Sequence, residues 1–204
     1  GNLAHVLKTP LAVISNEIKS EDNIMNNQVI LMKRHIDRYL KKAHLESVGA
    51  TSKEKINIID LVKKMISIFK KLYPEVKINL DESIQEAFVF GSMDDLEEVI
   101  GNIIENACKY GKKKIEVEIK ISDESNLQLI ILDDGSGLSQ EQMNKVFARG
   151  FRIDEQKPGT GLGLNIVKDI VETYMKGKVT LGKSKLGGLE VNILLPLSMT
   201  EKVS

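Results

Sequence analysis

Two asparagines four residues apart, Asn102 and Asn106, stand upstream of two glycine clusters. The first is Asp133-Asp134-Gly135-Ser136-Gly137-Leu138 and the second Gly159-Thr160-Gly161-Leu162-Gly163-Leu164. A spacing of four puts both amides on one face of a helix. An amide oxygen is a hard, neutral ligand suited to Mg2+, which keeps much of its water and binds nucleotide phosphates. Lys109, on a neighbouring turn, can meet a phosphate as a point charge, and Tyr110 can lend an aromatic edge to a base pocket. Asp133 follows the apolar run 129–132, which would carry its carboxylate to the buried end of a strand. A carboxylate there needs a donor, and the 6-amino group of adenine is one that guanine lacks. Gly135 and Gly137 allow a tight turn beside the base. Standing alone, an Asp-Gly turn is an ordinary hairpin and an asparagine pair an ordinary solvated face. Their occurrence together in one chain points to a nucleotide.

Residues 139–158 join the two clusters and read as a lid over a ligand, because long irregular loops in compact domains often play that part. The segment carries Arg149, Arg152 and Lys157 against Asp154 and Glu155, a balance that suits a polyphosphate. Gly159, Gly161 and Gly163 then permit close backbone approach, and the helix that follows offers its positive end to anions.

A second chemistry sits near the start, in His5-Val6-Leu7-Lys8-Thr9-Pro10-Leu11. His5 falls between the stripe positions Leu3 and Leu7 and so faces outward. Pro10 leaves the carbonyl of Val6 unpaired and kinks the helix one turn beyond His5, a cost of about 3 kcal/mol that helices normally avoid. Neutral imidazole, with an ordinary pKa of about 6.5, is an adequate nucleophile near neutrality. Thr9 shares the face of His5 and has a hydroxyl able to orient a water; its alternative is a bond to the helix backbone. His35 and His44 lack such a setting.

The elements that must hold these groups follow from periodicity. Leu3, Leu7, Leu11, Ile14 and Ile18 make one helical face, and Val29, Met32, Ile36 and Ala43 a second, with a polar turn between. Two helices cannot bury both stripes, so the hairpin of residues 1–48 is expected to pair into a dimeric four-helix bundle. Residues 49–55 read as a linker and 56–200 as a second domain. In it, helices are expected over 60–73, 92–110 and 165–175, and strands over 76–80, 87–90, 115–121, 127–132, 178–181 and 189–195. Helices on one face of a mixed sheet make an α+β two-layer sandwich.

Composition narrows the partners. Of 204 residues, 29 are Lys or Arg and 29 Asp or Glu, so no charge excess calls for nucleic acid or an anionic surface. The single cysteine, Cys108, excludes an internal disulfide and sits in an apolar helical pattern, where it reads as a small buried side chain. No run reaches the ~18 apolar residues of a membrane span.

The order of asparagine helix, Asp-x-Gly-x-Gly turn and Gly-x-Gly-x-Gly cluster resembles the ATP-binding domain shared by sensor histidine kinases, type II topoisomerase ATPase subunits, Hsp90 and MutL. The box from His5 to Leu11 resembles the phospho-acceptor of a histidine kinase and selects that branch. The resemblance covers nearly the whole chain. It implies ATP and Mg2+ as cofactors, with Asn106 the better metal ligand and Asn102 an accessory one. It further implies that Phe147 and Phe151 anchor the lid, that Arg152 and Lys157 contact phosphates, and that Thr160 lies near the metal. A homodimer and a response-regulator receiver domain are the implied partners. Membrane helices lying upstream are implied too, which places this region on the cytoplasmic side of the bacterial inner membrane. The ATPase branches carry a water-activating glutamate where Asn102 stands, so asparagine favours transfer to a protein group. Most histidine kinases have an acidic residue directly after the histidine, where this chain has Val6. Against these expectations stand two rivals: an ATPase of the topoisomerase, Hsp90 and MutL type, opposed by Asn102 and the His5 box, and a nucleotide-binding scaffold without kinase activity, opposed by intact Asn106, Asp133 and glycine clusters.

Overall fold

The computed structural model describes residues 54–123, 125–147 and 163–198, together with the helical residues Val29, Met32, Lys33 and Ile36. Those four fall in the segment where periodicity places the second helix of the hairpin. The rest of the hairpin, including His5 and Thr9, lies outside the described residues, as does the stretch from Ala148 to Leu162 with Arg149, Phe151, Arg152, Lys157, Gly159, Thr160 and Gly161.

Strand β1 (Glu54–Asn57) leads directly into helix α1 (Ile58–Leu72). Asn57 makes that junction: its Oδ1 accepts from the Ile59 N–H at 3.2 Å, satisfying one of the donors a helix start leaves open. Asp60 in the first turn and Lys70 and Lys71 in the last complement the helix dipole, and Tyr73 caps the end ahead of Pro74. Strands β2 (Lys77–Leu80) and β3 (Phe88–Gly91) follow, then helix α2 (Met93–Tyr110). Strands β4 (Lys114–Asp123) and β5 (Asn126–Asp133) form a hairpin. After α3 (Gln140–Lys145) and α4 (Gly163–Asp169), the helix widens into a π-turn over Ile170–Tyr174. Strands β6 (Lys178–Lys183) and β7 (Leu189–Pro196) close the fold.

The main sheet has five strands in the order β2-β4-β5-β7-β6, with β2 parallel to β4 and every other pair antiparallel. β1 and β3 form a separate antiparallel pair. Register explains the layering. Val117 lies opposite Ile131 and Ile131 opposite Val191; Ile119 lies opposite Leu129 and Leu129 opposite Ile193. All of these are buried, so one face of the sheet is a continuous apolar surface. Ile100, Ile103 and Ile104 of α2 and Val167 of α4 are also buried and complete the core. This is the α/β sandwich that the periodicities anticipate.

Three local expectations need revising. Glu54 and Lys55, read as the end of a linker, pair with Gly91 and Phe90 in β1. Four residues are too few for alternation to show. The segment read as an irregular lid begins with a helix, α3, fixed by a capping box in which Ser139 and Gln142 satisfy each other's backbone N–H. The helix expected over 165–175 starts earlier and ends in the π-turn, where the Met175 N–H bonds the Ile170 carbonyl at 3.1 Å.

The opposite face of β4 carries Glu116 and Glu118. Lys185, on the β6–β7 turn, reaches across the sheet to both, at 2.9 and 2.6 Å. Lys114 and Lys120 hold Glu116 and Glu118 below the usual carboxylate range, and Lys185 adds to both effects. The two glutamates in turn raise Lys185. A depressed carboxylate adds stability above its unfolded pKa of about 4.3, and a raised lysine adds it below its unfolded value of about 10.4. Lys185→Met should therefore lower the melting temperature between those limits. The gap from the parent should close as pH falls through the folded values of Glu116 and Glu118, and in high salt. A gap independent of pH in a calorimetric series would count against this account.

Candidate functional site

The site is built where the C-terminal half of α2 meets the ends of β5 and the start of α4. Ile103, Ile104, Ala107 and Cys108 turn one side of α2 into the core, and burial pushes the Cys108 thiol up to about 11. That is the inert buried cysteine its setting implied. Asn102 and Asn106 stand half-buried on another side of the helix. Asn102 Nδ2 donates to the Glu98 carbonyl at 2.7 Å, which fixes its amide.

Gly163, the last glycine of the second cluster, rests on this pair. A Cβ there would lie 3.1 Å from Asn106 Nδ2 and 3.2 Å from Asn102 Oδ1. Any side chain would push the amides aside, so glycine at this point lets α4 begin directly against them. Beyond it, Asn165 Nδ2 donates to the Phe147 carbonyl at 2.8 Å, and Lys168 Nζ lies 4.8 Å from the centre of the Phe147 ring. The first lid phenylalanine is thus tied to α4. Neither Asn165 nor Lys168 was singled out from the sequence, because each partner is remote along the chain. Leu164 is half-buried beside them.

Asp133 ends β5 on the apolar face and is 6% exposed. Its Oδ1 accepts from the Gly135 N–H at 2.8 Å and the Leu189 N–H at 3.2 Å. Burial raises its pKa, opposed by those two donors. Asp134 behaves differently. Despite some desolvation, the backbone N–H groups of Lys114, Lys112 and Lys113 hold it below the ordinary value. It pins the α2–β4 connection, with Lys112 N 2.7 Å away.

Gly135 packs on the Tyr110 carbonyl, and Gly137 adopts a φ of +67°, a left-handed conformation that favours glycine. Leu138 is half-buried and Tyr110 is 37% exposed. Lys109 lies 2.7 Å from Glu105 one turn back, and that bond raises its pKa. Of the nucleotide residues read from the sequence, Asn102 and Asn106 meet Gly163, while Tyr110, Asp133, Gly135 and Gly137 gather at the end of β5. Lys109 turns toward Glu105.

Among the described residues, no cluster of three His, Cys, Asp or Glu could hold a metal ion. The donor set is instead two neutral amides, which fits a hard cation that arrives with the phosphates it binds. No helix among the described residues is long and apolar enough to cross a membrane.

Residues 91–199 match the family described as histidine kinase-, DNA gyrase B-, and HSP90-like ATPase. The chain is 33% identical to the sensor protein PhoQ of Escherichia coli K12 over 205 residues, covering 95% of this chain and 42% of that protein. It is equally identical, over 206 residues and with the same coverage, to the virulence sensor histidine kinase PhoQ of Salmonella typhimurium 14028s. The chain thus spans well under half the length of these relatives. Its fold is also that of the mycobacterial sensor histidine kinase MprB, with a TM-score of 0.64, 23% identity and coverage of 72% of this chain and 99% of that one. The match spans α2, β5 and α4, the elements that carry Asn106, Asp133 and Gly163, and so the chain belongs to the histidine kinase-, DNA gyrase B- and HSP90-like ATPase family, and within it is similar to the sensor protein PhoQ.

Proposed function

We propose that this chain binds Mg-ATP in the sandwich domain, transfers the γ-phosphoryl group to His5, and passes it to an aspartate of a response regulator. The observation that carries the reading is Gly163, which starts α4 directly against Asn102 and Asn106 of α2, the helix whose last residue, Tyr110, packs its carbonyl on Gly135 of the Asp133 turn. Asp133 receives the 6-amino group of adenine. Asn106, with Asn102 beside it, would hold the magnesium ion, whose part is to neutralise charge on the phosphates. Thr160, Gly159, Gly161 and Leu162 line the phosphates, and Arg152 and Lys157 meet them from the lid. Lys109 exchanges or shares its Glu105 partner for a phosphate. The work of this domain is positioning and charge neutralisation, as in other phosphoryl transfers.

Residues 1–48 form the dimerising hairpin that carries His5, with 49–55 joining it to the catalytic domain of residues 56–200. Thr9, one turn beyond His5, orients water toward a regulator aspartyl-phosphate and so supports dephosphorylation. Segments outside this chain anchor the whole protein to the inner membrane with this region on the cytoplasmic side. Asn102 disfavours a simple ATPase: an amide is no base, and its nitrogen already donates to the Glu98 carbonyl.

The test is incubation of the chain with γ-labelled ATP and Mg2+. The label should be lost in acid and kept in base, as a P–N bond requires, and should be absent from His5→Ala. An acid-stable label, or one that survives in His5→Ala, overturns the assignment.

A further inference from the structure

The β6–β7 turn contributes to the site although neither glycine cluster contains it. The Gly188 N–H bonds the Asp133 carbonyl at 3.2 Å, and the next N–H, of Leu189, bonds Asp133 Oδ1 at the same distance. The Gly135 N–H meets that same oxygen from the other side, at 2.8 Å. Among the described residues none donates to Oδ2. The carboxylate is therefore held by one oxygen, with the other left to receive a ligand. Gly188 permits this. A Cβ at Gly188 would overlap Asp133 Oδ1 outright and lie 2.5 Å from Gly135 N and 2.6 Å from Asp133 O. Real Cβ atoms do not approach backbone so closely, so any side chain at 188 must displace the Asp133 turn or the β6–β7 turn. Its neighbour Gly187 differs: it has a φ of +106° but faces open space.

We propose that Gly188, with the Leu189 N–H, is a positioning element that fixes the Asp133 carboxylate by Oδ1 so that Oδ2 faces the 6-amino group of a purine. The proposal rests on the assignment of Asp133 to adenine. Gly188 makes no contact with nucleotide itself; it acts through Asp133. The consequence is a specificity effect: disturbing Gly188 should weaken purines that bear a 6-amino group and spare those that lack it.

Calorimetry on the whole chain with Mg2+ distinguishes the cases, using ATP and purine riboside triphosphate, which lacks the 6-amino group. Asp133→Ala should weaken ATP about 10-fold or more, the loss expected for a hydrogen bond to a charged group, and change the second ligand little. Gly188→Ala should bring the ratio of the two affinities toward one, and the double variant should bind ATP no worse than Asp133→Ala alone. Gly187→Ala strains the same turn without meeting Asp133 and should keep the parent ratio. If Gly188→Ala does not fold, Leu189→Pro removes the N–H donor at the first residue of β7, where proline is tolerated, and should give the same ratio change. Should Asp133→Ala bind ATP as the parent does, both the adenine assignment and this proposal fall. Should Asp133→Ala weaken ATP while Gly188→Ala (or Leu189→Pro) keeps the parent ratio, or adds its loss to that of Asp133→Ala, only the positioning role falls.

Discussion

Asn106→Ala should leave the fold intact and reduce phosphoryl transfer by at least about 100-fold, the upper end of what disturbing a metal's supporting shell costs. Asn106 is a half-buried polar side chain outside the buried apolar set of α2, so its removal opens no core cavity. The loss should instead appear in ligand-linked stability. Mg-ATP binds only the folded domain and raises its melting temperature by mass action. In Asn106→Ala the temperature without nucleotide should match the parent, while the rise on adding Mg-ATP should shrink toward that given by ATP with a chelator. A full Mg-dependent rise in the variant would remove Asn106 from the metal assignment. Gly163 sharpens the expectation, because even a Cβ there would crowd the Asn106 amide, which leaves little room for a neighbour to take its place.

The second large effect is structural and opposite in signature. Ile104 is fully buried in α2. Ile104→Ala removes apolar volume that the surrounding sheet cannot close over and should cost roughly 2–5 kcal/mol. For a domain of this size each kcal/mol lowers the melting temperature by roughly 2–4 °C. Because Asn102 and Asn106 lie on another side of the helix, the rise given by Mg-ATP should persist. A variant that kept the parent melting temperature yet lost that rise would show that Ile104 shapes the site rather than the core.

Much of the sandwich was legible because its signals are local. The alternation of Ile115, Val117 and Ile119 marks β4, and the near-continuous run ending at Leu132 marks β5 as a strand buried in the sheet. Ser92 with Asp94 and Asp95 announces α2, and Pro74 bounds α1. What stayed hidden was either short or capped by pairs that occur often by chance. β1 has four residues, and the Ser139–Gln142 box that starts α3 sits in a segment otherwise rich in charge.

Residue types and spacing alone place a neutral amide pair on one helix face, a carboxylate at a strand's buried end, and glycines where backbone must pass close. Each of those is a matter of residue type and of a period of two or four, which a chain enforces within a single helix turn or strand. How those groups are held depends on long-range packing. Leu189 reaches Asp133 from 56 residues away, Lys185 reaches Glu118 from 67 away, and Asn165 ties Phe147 from 18 away. None of these pairings has a local period. The first two exist because β7 lies beside β5 in a fixed register, which a slip of one residue would dissolve by turning every side chain of the strand to the other face, and the third because α4 packs beside the end of α3.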